Sequence, residues 1–121
     1  MVTIGYMEGT DSALLSKLAA AGIETTPISS TGDNHGKHIA DLSASDGIDA
    51  VVGYFHKFVP GKESNLTPAA LIKNCVENGI RVFVIARRAD HPIVSKALGD
   101  TAADVTLVRP REIEKAILGL L

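Results

Sequence analysis

The run Ala50-Val51-Val52-Gly53-Tyr54-Phe55 constrains the fold more than any other stretch of the chain. It is apolar at nearly every position and is bounded by Gly47 on one side and by His56-Lys57 on the other. Successive side chains of a strand point to opposite faces, so a strand of this composition must be covered on both. That is the situation of an interior strand in a parallel sheet with helices above and below it.

The flanking sequence supplies such elements in alternation. Val2 to Met7 reads as a strand, and Leu14, Leu15, Leu18 and Ala21 then recur at helical spacing, with Thr10 or Asp11 as N-cap and Gly22 after the end. Glu24 to Ile28 is a second strand whose Pro27 lacks a ladder donor and so favours an edge position. Ser29 to Lys37 is a polar loop, and a helix is expected from about Lys37 to Ser45, burying Ile39, Ala40 and Leu42. After the central strand, Thr67 to Asn78 forms the clearest helix, with Thr67 as N-cap and Pro68 in the first turn. Ile80 to Ala86 is a fourth strand, followed by a helix between Pro92 and Gly99. Asp104 to Val108 is a fifth, followed by a helix that opens at Pro110 and buries Ile113, Ala116, Ile117 and Leu120.

Five strand-helix units in residues 1–121, with no internal repeat or linker, predict a single α/β domain of three αβα layers around a five-stranded parallel sheet. A second strand at the edge places the order at 2-1-3-4-5, which resembles the flavodoxin-like, Rossmann-like arrangement. The resemblance lies in element order alone, and such folds host many functions.

At 121 residues the chain can bury roughly two-thirds of its unfolded surface without a disulfide, and Cys75 has no partner cysteine. Its place on the apolar face of the 67–78 helix predicts a packed, inert thiol. No apolar run approaches the ~20 residues of a membrane helix, and the first residues read as a strand and not as a leader, so the expected location is cytoplasmic. With a net charge of −2 and few aromatics, nucleic acid ranks last among partners.

Ligands of open parallel sheets bind beyond the carboxyl ends of the strands, above all where the strand order reverses. That edge collects Glu8 and Asp11 after the first strand, Asp33, His35, Lys37 and His38 after the second, and His56, Lys57 and Lys62 after the third. Arg87, Arg88 and His91 follow the fourth strand, and Arg109 and Arg111 the fifth. All four histidines and seven of the twelve lysines and arginines therefore lie on one edge of an acidic chain, the pattern of an anion site.

Specific chemistries fit less well. His56-Lys57-Phe58-Val59-Pro60-Gly61-Lys62 ends like a phosphate loop, but His56 stands where the first glycine is needed, Pro60 removes a backbone donor, and Glu63 replaces the hydroxyl. His35-x-x-His38, beside Asp33 and Asp41, offers nitrogen and oxygen to a metal without forming a closed ligand set. Arg109-Pro110 after the fifth strand resembles the Lys-Pro of receiver domains, with Glu8 and Asp11 as their acidic cluster. Tyr54, Phe55 and His56 occupy the place of the phosphate acceptor, so such a receiver is degenerate.

The sequence thus leads to a domain binding an anionic, phosphorylated or nucleotide-like ligand between the first and third strand ends. Lys57, Lys62, Arg87 and Arg88 would supply charge, and Glu8 or Asp11 would hold a cation. His56 is the candidate for proton transfer, because histidine exchanges protons near neutrality. No reaction or cofactor is specified, and enzyme and binder both remain open. The alternative is a non-catalytic regulatory or interaction domain, homo-oligomeric through the apolar ending Ile117-Leu118-Gly119-Leu120-Leu121.

Overall fold

The computed structural model describes residues 2–29, 37–39, 42–58 and 67–120, with positions 37 and 38 described by their backbone. The strands are β1 (Thr3–Tyr6), β2 (Glu24–Ser29), β3 (Lys37–His38), β4 (Ala50–Tyr54), β5 (Arg81–Ile85) and β6 (Thr106–Val108). The helices are α1 (Ser12–Ala20), α2 (Pro68–Glu77), α3 (His91–Leu98) and α4 (Ile113–Leu118). All strand pairs are parallel, and the order across the sheet is β3-β2-β1-β4-β5-β6. Without the two-residue β3, this is the five-stranded order expected from the sequence, with the reversal between β1 and β4.

Period-two alternation builds both cores at once. Val51, Val82 and Val84 point to the side covered by Leu71, Ile72 and Cys75 of α2 and by Val94 and Leu98 of α3. Ala50, Val52, Phe83 and Ile85 point to the other side, covered by Leu14 and Leu18 of α1 and by Ile113 and Ile117 of α4. Ala50, Val51 and Val52 are fully excluded from solvent. Each large aliphatic side chain so buried contributes about 1.5–3 kcal/mol of transfer free energy, which is why β4 can remain at the centre.

The helix starts follow the caps read from the sequence. The Asp11 carboxylate accepts from the Ala13 N–H at 2.9 Å, and the Thr67 hydroxyl accepts from the Ala70 N–H at 3.1 Å with Pro68 in the first turn. The last helix begins at Ile113 and not at Pro110, because residues 110–112 form a turn in which the Arg109 carbonyl accepts from the Glu112 N–H.

One element differs from expectation. No α-helix lies among the described residues between Lys37 and Ser45; they include β3, Ile39 in a 3-10 conformation and the 3-10 turn Ala44–Asp46. Ser43 and Asp46 close a capping box around that one turn, and Gly47 ends it at φ 70°. Ile39 and Leu42 still reach the α2–α3 side of the core, so the apolar signal was real. Their carbonyls are tied to α2: the Asn74 side-chain amide donates to both Ile39 O and Leu42 O at 3.1 Å, and Ile39 O also accepts from the Leu42 N–H at 3.3 Å. Backbone groups met in this way do not need a helical ladder.

At the chain ending, Leu118 and Leu120 are partly buried against the α1–α4 side of the core, and Leu121 lies outside the described residues. Among the described residues the large apolar side chain left in solvent is Ile93 of α3. No helix is long and apolar enough to cross a membrane among those residues.

The interior of β4 admits no side chain at Gly53, where a Cβ would lie 2.4 Å from Met7 Cγ and 2.7 Å from Met7 Cβ. Met7 extends the β1–β4 pairing, its N–H donating to Val52 O at 2.9 Å, and it cannot retreat without breaking that bond. Gly53→Ala is expected to destabilise the domain by about 1–3 kcal/mol in urea unfolding, the usual cost of overpacking. Combined with Met7→Gly, which removes both clashing atoms, the cost should fall well below the sum of the two single substitutions.

Candidate functional site

The carboxyl edge is built by loops that differ in how much of their charge remains available. After β1 the Thr10 hydroxyl donates to Met7 O at 2.7 Å, closing a tight turn, while Glu8 and Gly9 are exposed. Gly9 has φ +83°, a conformation that strains any other residue, and a Cβ there would lie 3.3 Å from Lys57 Cε. The Lys57 stem therefore crosses the β1 loop at the point where the strand order reverses. Asp11 is committed to its helix cap.

After β4 the chain turns through a 3-10 segment, Phe55–Phe58. Phe58 is fully buried, which anchors the far end of the turn and lifts His56 to the surface. The His56 ring lies against Tyr54, with centroids 5.9 Å apart and planes tilted by 34°. After β5, Arg87 Nε donates to Asp90 Oδ2 at 3.1 Å, an exposed pair of small energetic consequence, and Arg88 is exposed beside it. His91 Nε2 lies 2.8 Å from Ala86 O; since a carbonyl only accepts, that nitrogen carries the proton and His91 serves to fix the start of α3.

A pocket of about 380 Å³ opens beyond the ends of β4 and β5. Its walls are mostly apolar, with Tyr54, Phe55, Ile85, Ala86, Ile93 and Pro110 among them, and His56, Arg87 and Asp90 are the polar groups that line it. Ile93 is 66 % exposed. A second pocket of about 230 Å³ lies on the α1–α4 side, where Asp11, Lys17, Arg111 and Glu114 join Tyr54, Ile85 and Pro110.

The structure thus brings His56 and Arg87 together at one pocket and places Asp11 at its neighbour. It separates Lys57, which lies over Gly9, and leaves Glu8 and Arg88 lining neither of the two. Lys62 and His35 lie outside the described residues, as does the His38 side chain. Among the described residues no three His, Cys, Asp or Glu side chains come together as a metal site. Arg109 pairs with Glu112, and this neighbouring guanidinium holds the Glu112 carboxyl below the usual carboxylate range.

Tyr54, Ile93 and Pro110 were not picked out from the sequence as site residues. Ile93 carried a signal: it falls off the Val94–Leu98 stripe that buries α3, so an apolar side chain there had no core to join. Tyr54 and Pro110 entered only through the receiver comparison, which did not point to a pocket wall. No protein-family model matches the chain, and no curated protein is similar enough in sequence to count as a relative.

Nucleophilic chemistry finds no support in Cys75. Its side chain is sealed beneath α2, and burial pushes the thiol up to about 12. Native protein at pH 8 should resist iodoacetamide, with full alkylation only after denaturation. Because the folded state holds this proton more tightly than the unfolded chain, stability is unaffected by Cys75 below the ordinary thiol range. It should then fall between about pH 9 and 12, with a slope of up to ~1.4 kcal/mol per pH unit that Cys75→Ala removes.

Proposed function

We propose that this domain binds a small anionic, nucleotide-like ligand at the carboxyl edge of the sheet. The flat apolar part of the ligand occupies the pocket between the ends of β4 and β5, and its anionic part faces Arg87 and Arg88. The observation that carries this reading is the exposed apolar wall. Ile93 stands in solvent in a hollow that it shares with Tyr54, Phe55 and Arg87, and whose volume falls within the roughly 300–1,000 Å³ of ordinary small-molecule sites. The site lies one strand away from the reversal of strand order, where the Lys57 stem crosses Gly9. Lys57 remains a cation of the adjoining turn, and His56 is the group on the pocket wall suited to move a proton if the ligand is a substrate.

A second reading rests on the same exposed residue: a non-catalytic interaction domain in which a partner, a second copy included, covers Ile93. A thermal-shift panel of nucleotides and sugar phosphates separates the two. A ligand present at a hundredfold excess over its Kd stabilises the native state by about 2.7 kcal/mol, several degrees in Tm. The expected result is such a rise for the wild type and a much smaller one for Arg87→Ala/Arg88→Ala and for Ile93→Asp. If no compound raises the wild-type Tm more than that of the variants, the ligand reading is wrong. Light scattering that shows an oligomer lost in Ile93→Asp would then support the interaction domain.

A further inference from the structure

The two pockets at the carboxyl edge share three wall residues, Tyr54, Ile85 and Pro110, and so meet along one short boundary. The smaller, at about 230 Å³, falls below the size of ordinary ligand sites, whereas the larger falls within it. We propose that they are two halves of one site, and that the smaller half receives the uncharged, hydroxylated part of the ligand, a ribose-like diol. This rests on the ligand-binding reading above and specifies the class of molecule.

Charge decides what the smaller half can take. Two carboxylates, Asp11 and Glu114, and two cations, Lys17 and Arg111, line it, so their formal charges cancel. Lys17 Nζ stands 3.6 Å from Glu114 Oε2, and each moderates the other. The N-terminus of α1 is no open seat for a phosphate, because the Asp11 carboxylate already accepts from the Ala13 N–H. An anion therefore gains little here; on the other side Arg87 is paired with Asp90, and exposed Arg88 beyond the pocket wall supplies the unmatched positive charge. An ammonium group gains little as well, since Glu114 faces Lys17 and Asp11 faces a helix N-terminus.

Carboxylates engaged in this way keep lone pairs free, and a guanidinium has five donors to share. Such a lining offers acceptors and donors together at no net charge, which is what a pair of neighbouring hydroxyls requires. The division across Tyr54 and Pro110 then matches a molecule with a flat apolar ring at one end and a diol beside it. Its phosphate reaches back toward the arginines of the larger half.

Calorimetric titration of the full chain with AMP and with 2′,3′-dideoxyadenosine 5′-monophosphate tests the proposal. Wild-type protein should bind AMP roughly tenfold more tightly than the dideoxy compound, the usual worth of hydrogen bonds to charged groups. Ala13 is exposed on the wall of the smaller half, and Ala13→Trp should fill it, leaving both compounds bound equally and no better than the dideoxy compound binds wild type. Should that variant fold poorly by circular dichroism, Glu114→Gln serves in its place and should shrink the tenfold difference. AMP and the dideoxy compound binding wild type equally overturns the bipartite site and leaves the single-pocket reading standing. No binding of AMP to wild type overturns both.

Discussion

Ala50, Val51 and Val52 are shut away from water because α1 and α4 close one face of β4 while α2 and α3 close the other. A strand covered on both faces must be apolar at consecutive positions, and it can be so only while it stays inside the sheet. Where β4 ends, the helical layers no longer cover it, and polar side chains appear at once. The placement of His56 and of the pocket walls follows from where that cover stops.

Tyr54 marks this boundary. Its side chain packs partly against the α1–α4 core, faces both pockets, and lies against the His56 ring. The next residue, Phe55, packs against the opposite core. The strand thus hands one aromatic to each layer as it leaves the sheet, and the Phe55–Phe58 turn is held down at its far end by buried Phe58.

The charge on this edge is less uniform than the residue types suggest. Arg87 meets Asp90, Arg109 meets Glu112, and Lys17 meets Glu114, so several of the cations stand beside carboxylates. These exposed pairs contribute little to stability. They balance the formal charges of the smaller pocket and pair Arg87 with Asp90 at the larger one.

Alternation of apolar runs and helical stripes made the architecture legible without coordinates, because burial on both faces of β4 permits few alternatives. The caps at Asp11 and Thr67 were readable for the same local reason, as was the fate of Cys75; β2 lies outside β1 as expected, but the two-residue β3 and not β2 forms the edge. The expected helix after Lys37 was not, since Ile39 and Leu42 suit any segment that buries two side chains. Its carbonyls are tied to Asn74, thirty-odd residues away, and no local pattern reports that. Sequence likewise placed His56 and Arg87 on one edge, because strand ends are a property of chain order. Which loops share a pocket depends on the register of β4 against β5 and on how the turns after them pack. That is why the hollow formed with Ile93, and the lodging of Lys57 over Gly9, belong to the tertiary structure alone.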